Sequence, residues 1–282
     1  MLLMLAALTA AALQGTDTTV SVRAGSRLNL DNFDGTVTVT TWSRSAVRVQ
    51  ATHDDDTRVD VDVRGNSVGV RGRSRGGPPE VDYRITVPAD MALELSTHSG
   101  DISVDGARAE LSLQTVEGRV TVSGGSGRVS ISSVEGDVQL SRADGRITIS
   151  AVDGAVTVRD TRGDLTISAV DGEVRLDNVD ASSIEATTVD GAIDFAGTFQ
   201  GTGRYRLSSH DGDVTVTVPS VDAEVSVSTY EGNFDSDFPV TVTGLRSRQR
   251  LTFTLGKGSA RLELESFDGN VRLRRTGSAR RP

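Results

Sequence analysis

The sequence predicts an all-β protein built as a β-solenoid, a single-stranded β-helix-like stack with about 18–20 residues per coil. Three observations predict it. A pattern of apolar–x–apolar–x–x–apolar–acid–Gly–x–apolar–x–apolar recurs, most cleanly at 147–158 (ITISAVDGAVTV) and 165–176 (LTISAVDGEVRL). Its copies start at Leu93, Leu111, Val129, Ile147, Leu165, Ile184, Tyr205, Val225 and Leu262, at steps of 18, 18, 18, 18, 19, 21, 20 and 37. A second glycine also recurs, at Gly127, Gly145 and Gly163, so each unit holds two strands and two tight corners.

One unit cannot fold alone. Fixing its backbone costs roughly 1–2 kcal/mol per residue. Its few inward aliphatics return only about 1.5–3 kcal/mol each. Stacked copies supply the missing burial and hydrogen bonds, which is the logic of a solenoid. With strands about 4.8 Å apart, the copies make a rod on the order of 45 Å long. An antiparallel sandwich or prism of hairpins, with Asp-Gly corners as hairpin turns, is the alternative. Regular spacing with in-register glycines favours stacking.

Taken in order, residues 1–14 (MLLMLAALTAAALQ) form an apolar and small-residue run of signal-peptide length, without a preceding Lys or Arg. Export is expected, with a periplasmic, cell-surface or extracellular destination and no transmembrane segment in the mature chain. Residues 15–90 alternate apolar and polar side chains and read as an irregular β region, continuous with the solenoid or capping it. Within it, 27–38 (RLNLDNFDGTVT) already carries the repeat, and 261–273 (RLELESFDGNVRL) carries it again near the end. The soft boundary falls at 76–80 (GGPPE) or 88–90. His53–Asp56 (HDDD) reads as a solvated hairpin loop rather than a calcium loop, whose ligands would be spaced. Arg71–Arg75 (RGRSR) reads as an exposed turn, and Trp42 as a packing anchor.

The solenoid proper spans 91–273. In 147–158, Ile147, Ile149, Val156 and Val158 are expected inside, with Val152 as a buried aliphatic at the corner. Turn glycines are Gly100, Gly118, Gly136, Gly154, Gly172, Gly191 and Gly212. The spacing loosens after Ile184, and GLRSRQR within 240–255 reads as a long loop or cap. Residues 274–282 (RRTGSARRP) read as a disordered basic tail.

Composition narrows the function. Apolar residues are 36% and aromatics 4%, so aliphatics must fill the core. A net charge of −9 argues against broad nucleic-acid binding. With no cysteine, there is no disulfide scaffold, thiolate zinc site or lipidated cysteine.

Superposed repeats place Asp34, Glu117, Glu135, Asp153, Asp171, Asp190, Asp211, Glu231 and Asp268 in one column, interrupted at Ser99. Two readings stay open: Asp-Gly turn chemistry, or a cation ladder centred on Glu117, Glu135, Asp153, Asp171 and Asp190 that would take Ca²⁺. Arg119, Arg146, Arg159 and Arg175 are candidate neutralisers. His98 and His210 occupy the position held by Val152, as does Tyr230. The two histidines lie several coils apart, some 30 Å at the stacking rise, too far for one metal; a wider corner explains them better. No nucleophile elbow, phosphate loop or zinc spacing is present, so no catalytic residue and no cofactor is assigned.

RLNLDNFDGTVTVTTW, VDYRITVPADMALELSTHSGDISV with its SGDI element (Ser99–Ile102), and the xVxGxVxV repeats resemble a bacterial "putative adhesin" family of unknown function, in the style of auto-transporter adhesin-like head domains. The resemblance covers about 16–273. It implies an exported, solenoid-like envelope protein and supplies no catalytic residues. The expected function is a non-enzymatic envelope scaffold or binding module that contacts protein or polysaccharide through the solenoid faces. Self-assembly by end-to-end stacking and a carbohydrate-active β-helix enzyme are the alternatives.

Overall fold

The computed structural model describes residues 14–240 and 250–277. Residues 1–13 of the N-terminal apolar run, residues 244–249 of GLRSRQR and the last five residues of the tail lie outside them. The described residues wind into two facing sheets of 13 strands each. Each repeat contributes one strand to each sheet: Asp144–Asp153 enters one, the acid-Gly corner turns the chain, and Val156–Arg159 enters the other. The next coil begins with Arg162–Asp171 and pairs in parallel, Ile147 opposite Leu165 and Asp153 opposite Asp171. The fold is a flattened β-solenoid.

The core follows from strand periodicity. Ile147, Ile149, Val156 and Val158 are fully buried, and aliphatics fill the equivalent positions from coil to coil. Where the coil lengthens to 21 residues before Tyr205, a Phe195–Phe199–Tyr205 cluster fills the extra space. The Tyr205 hydroxyl donates to the Ala181 carbonyl at 2.8 Å and accepts from the Gln200 amide at 2.7 Å.

The corner glycines are required by stacking as well as by turning. Gly154 has φ +131°, and a Cβ there would lie 2.5 Å from the Gly136 carbonyl oxygen one coil away. Gly145, at the return corner, would meet the Gly127 carbonyl at 2.3 Å.

Residues 14–90 belong to the same two sheets. Coils there do not stack in chain order. Arg27–Asp34 and Val37–Trp42 lie between the later coil Ser67–Ser74/Val81–Pro88 and the still later coil Ala92–Ser99/Ile102–Ala107. The C-terminal end repeats the device. Ala260–Asp268 and Val271–Arg275 insert between Arg204–Asp211/Val214–Val218 and Ala223–Thr229/Phe234–Ser236. Antiparallel strands then close the ends: Gln14–Ser21 and Ala46–His53 on one sheet, Thr57–Arg64 and Arg250–Leu255 on the other.

Three local expectations change. HDDD is not a hairpin loop, because the strands it joins lie in different sheets. His53 is buried, its ring nitrogens 3.0 Å from Thr16 Oγ1 and 2.8 Å from the Asp54 carbonyl. RGRSR is mostly strand, since Ser67–Ser74 pairs on both sides. The last strand continues two residues beyond Leu273, and Arg274 there meets Asp235 at 2.8 Å and Asp237 at 3.2 Å. Trp42 is half-buried and donates its indole N–H to the Ala46 carbonyl, tying its own turn.

Candidate functional site

The acid-Gly corner forms one long edge of the rod, and four columns of side chains run along it. The innermost is small, and polar except at Ala151 and Ala169. Thr97, Thr115, Ser133, Thr188, Ser209 and Ser266 are buried. Their hydroxyls donate to corner carbonyls, as from Ser209 to Gly191 at 2.8 Å and from Ser266 to Gly212 at 2.8 Å. Asn32 does the same with its amide, reaching the carbonyls of Asp34, Gly35 and Val81. In the coils with Thr, Ser or Asn here, carbonyls turned inward by the bend therefore find donors without water.

The next column overturns a sequence expectation. Val116, Val134, Val152, Val170 and Val189 point outward and stay 37–50% exposed. Val152 lies five residues after Ile147, an odd number, so the strand alternation sends it to the opposite face. Phe33 and His98 continue this ridge at one end, stacked with centroids 5.0 Å apart. His210, Phe267 and Tyr230 continue it at the other, in two stacks of 4.8 Å. Each histidine thus pairs with the phenylalanine of an out-of-order coil. That contact explains the departure from valine at His98 and His210 better than a wider corner does.

The third column is the carboxylate series. Register pairs join Ser99 to Asp34 and Glu117, then Glu117 to Glu135, Glu135 to Asp153, Asp153 to Asp171, Asp171 to Asp190, Asp190 to Asp211 and Asp211 to Asp268. Among the described residues, none of these carboxylates joins an ion pair. The proposed neutralisers face elsewhere. Arg119 pairs with Asp137 at 3.7 Å, Arg159 with Asp177 at 3.3 Å, and Arg175 with Glu173 and Asp194. Arg146 makes no ion pair in the described residues. No group of three His, Asp or Glu side chains among them converges on a metal-sized point.

Sequence reasoning missed the fourth column, just past the corner glycine. Asp101 accepts the Arg119 amide at 2.8 Å, Asp137 the Ala155 amide at 3.1 Å, and Asp213 the Asn270 amide at 2.7 Å. These carboxylates cap the next coil, which distinguishes them from the unpaired ladder two residues earlier. Burial alone would raise the Asp213 pKa, but the Asn270 amides and Arg272 outweigh it and hold the carboxyl below its usual range. Gly-Asp and Gly-Asn at 100–101, 136–137, 212–213 and 269–270 were the available signal.

A hollow of about 540 Å³ lies on the outer face near the N-terminal end, among Asp31, Asp60, Arg71, Arg73 and Glu94. Its charges partly answer one another, Arg73 meeting Asp60 at 3.3 Å. Beneath this region Tyr83 is buried, and its hydroxyl has no hydrogen-bond partner among the described residues. Burial, with the nearby Asp31 charge, pushes that hydroxyl's pKa up.

The model of the Toastrack DUF4097 family matches residues 25–274, and the chain belongs to that family. Among solved structures, a "putative adhesin" from Bacteroides fragilis is similar at 12% identity and a TM-score of 0.39, over 93% of this chain and 98% of that one. A "putative cell adhesion protein" from Clostridium sporogenes is similar at 10% identity and 0.27, over 94% and 100%. A "putative adhesin" from Parabacteroides distasonis is similar at 13% identity and 0.31, over 92% and 96%. No curated protein matches the chain.

Proposed function

We propose that this Toastrack-family chain is an exported, non-enzymatic binding module of the bacterial envelope, presenting a solenoid face to a partner. One observation carries the reading. Five consecutive coils hold a half-exposed valine beside an unpaired carboxylate on the same edge. Folding does not require this arrangement. Thr148, Thr157 and Thr166 show that threonine serves outward strand positions in the same coils. A repeated apolar edge in water marks contact with another molecule.

The distribution of chemistry supports binding over turnover. Acid–base catalysis needs groups gathered around one reacting atom. Here the ladder carboxylates are dealt out one per coil, His98 and His210 stand six coils apart, and the carboxylates gathered in the N-terminal hollow lie among arginines, Arg73 pairing with Asp60. End-to-end growth has less support. The outermost strand at one end, Thr57–Arg64, is antiparallel and carries Arg58, Asp60, Asp62 and Arg64, charges of the kind that blunt an edge against pairing. Export rests on the apolar run at residues 1–14.

The test has two arms. Fractionation of cells expressing the whole chain should place it outside the cytoplasm. Immobilised protein lacking residues 1–14 should retain a component of envelope extracts through a salt-resistant wash. Cytoplasmic retention, or release of reducing ends from envelope polysaccharide by the purified protein, would overturn the reading.

A further inference from the structure

We propose that the valine ridge and the carboxylate ladder together form a docking surface for a cationic amphipathic helix. This rests on the reading of the chain as a binding module and names the partner chemistry. The surface is two-toned along its length. Val116, Val134, Val152, Val170 and Val189 form the apolar line. Glu117, Glu135, Asp153, Asp171 and Asp190 form an anionic line directly beside it, with no ion pair among the described residues. On the other side of the ridge lie Gln114, Ser132, Ser150, Ser168 and Thr187, all uncharged. A partner must therefore be apolar on the side that meets the ridge and positive on one flank only.

Charge decides against the other envelope surfaces. Anionic lipid headgroups and anionic polysaccharides would be repelled by the ladder and by a chain of net charge −9. Neutral glycans offer no cation for the ladder and little apolar surface for valine side chains. A polypeptide with Lys or Arg beside Leu or Ile offers both.

Periodicity decides between helix and strand. The ladder repeats about every 4.8 Å. A helix presents one residue per turn to a given line, about every 5.4 Å. Over the four steps from Val116 to Val189 the mismatch accumulates to only about 2.4 Å, half a step. A strand presents same-face residues about every 6.7 Å and slips a whole step within about three such repeats. About four turns, or roughly 15 residues, would cover the five central coils. The cations would stand at i, i+3, i+4 and i+7 on one flank.

The same ridge also limits self-association as the explanation. Copies related by an axis perpendicular to the rod and lying in the contact plane would bring ladder against ladder, a like-charge contact.

The experiment uses the whole chain without residues 1–14 and three synthetic peptides of about 15 residues: a Lys/Leu amphipathic helix, a Lys/Gln helix of equal charge, and a Glu/Leu helix. Binding is followed by fluorescence anisotropy at low and high salt. The Lys/Leu peptide should bind at least about tenfold more tightly than either control, and weaken as salt rises. Two surface variants divide the contributions: Val134→Thr/Val152→Thr/Val170→Thr and Asp153→Asn/Asp171→Asn/Asp190→Asn. Each should lose about tenfold in affinity while retaining the wild-type circular dichroism spectrum. Equal binding of Lys/Leu and Lys/Gln peptides, or unchanged binding by either variant, would overturn the proposal. So would a valine-dependent dimer of the protein alone. Capture of envelope components that persists in both variants would sink this surface and leave the binding-module reading standing.

Discussion

The middle of the rod and its two ends solve the same stacking problem in different ways. Between residues 111 and 176 each coil stacks on the one before it, in unbroken register, so the nearest neighbour in space is the nearest in sequence. At both ends a coil is slipped between two others out of order, and the contacts that hold it cross long stretches of chain. The ridge changes with the threading. Valine lines it in the middle, whereas Phe33 against His98 and Phe267 against His210 and Tyr230 occupy the inserted coils and their neighbours. Repetition makes the middle interchangeable. The ends are unique, and they depend on one coil each.

The largest effect should come from removing such a coil. Deleting residues 147–164 joins Arg146 to Leu165, at matching register positions, and should leave a shorter rod that unfolds cooperatively with its strand signal intact. Deleting residues 260–277 removes the strands that join Ala223–Thr229, which keeps only its antiparallel partner Arg250–Leu255, and Phe234–Ser236 to the rest of the rod. Limited proteolysis should then trim the chain back to about Val218. Equal protease resistance in the two deletions would show that the ends do not depend on the inserted coil.

A smaller contrast lies in single glycines. Gly154→Ala places a Cβ against the Gly136 carbonyl at positive φ, and should cost about 3 kcal/mol or more in urea denaturation. Gly25 also has positive φ, +74°, but no atom lies within 4 Å of its would-be Cβ. Gly25→Ala should cost only about 1 kcal/mol, the conformational term alone. Similar costs would mean that close approach between coils contributes little.

The regular middle was largely legible in the sequence, because a fixed step fixes the register. The same step names which residues share a column. Parity was also available: five residues separate Ile147 from Val152, and an odd count in a strand changes face. The repeated apolar letter concealed it. Spatial order was harder to read. Nothing in a local pattern says that the coil of Arg27 sits next to that of Leu93 on one side and that of Val68 on the other. The only trace was side-chain identity. The two units with Phe before Asp-Gly meet the two with His before Ser-Gly or Asp-Gly, across 65 and 57 residues of chain. The capping carboxylates were hidden for another reason: Asp101, Asp137 and Asp213 act on the following coil, so their role appears only once the stack exists.

Asp213 brings that last distinction to a measurement. Asp137 caps the coil that follows it in sequence, whereas Asp213 caps the inserted one, 57 residues later, and also holds Arg272. Its carboxyl titrates below the usual range when folded. A depressed folded pKa contributes stability that is fully present above the unfolded value, about 3.9, and is lost as pH falls through the folded value. Asp213→Asn should therefore lower Tm at neutral pH by an amount equivalent to about 1 kcal/mol, since the carboxylate is partly exposed. The gap between wild type and variant should narrow as pH falls below about 4. A gap that stays constant from pH 7 down to about pH 2 would show that the charge of Asp213 does not hold the inserted coil, and that amide geometry alone does.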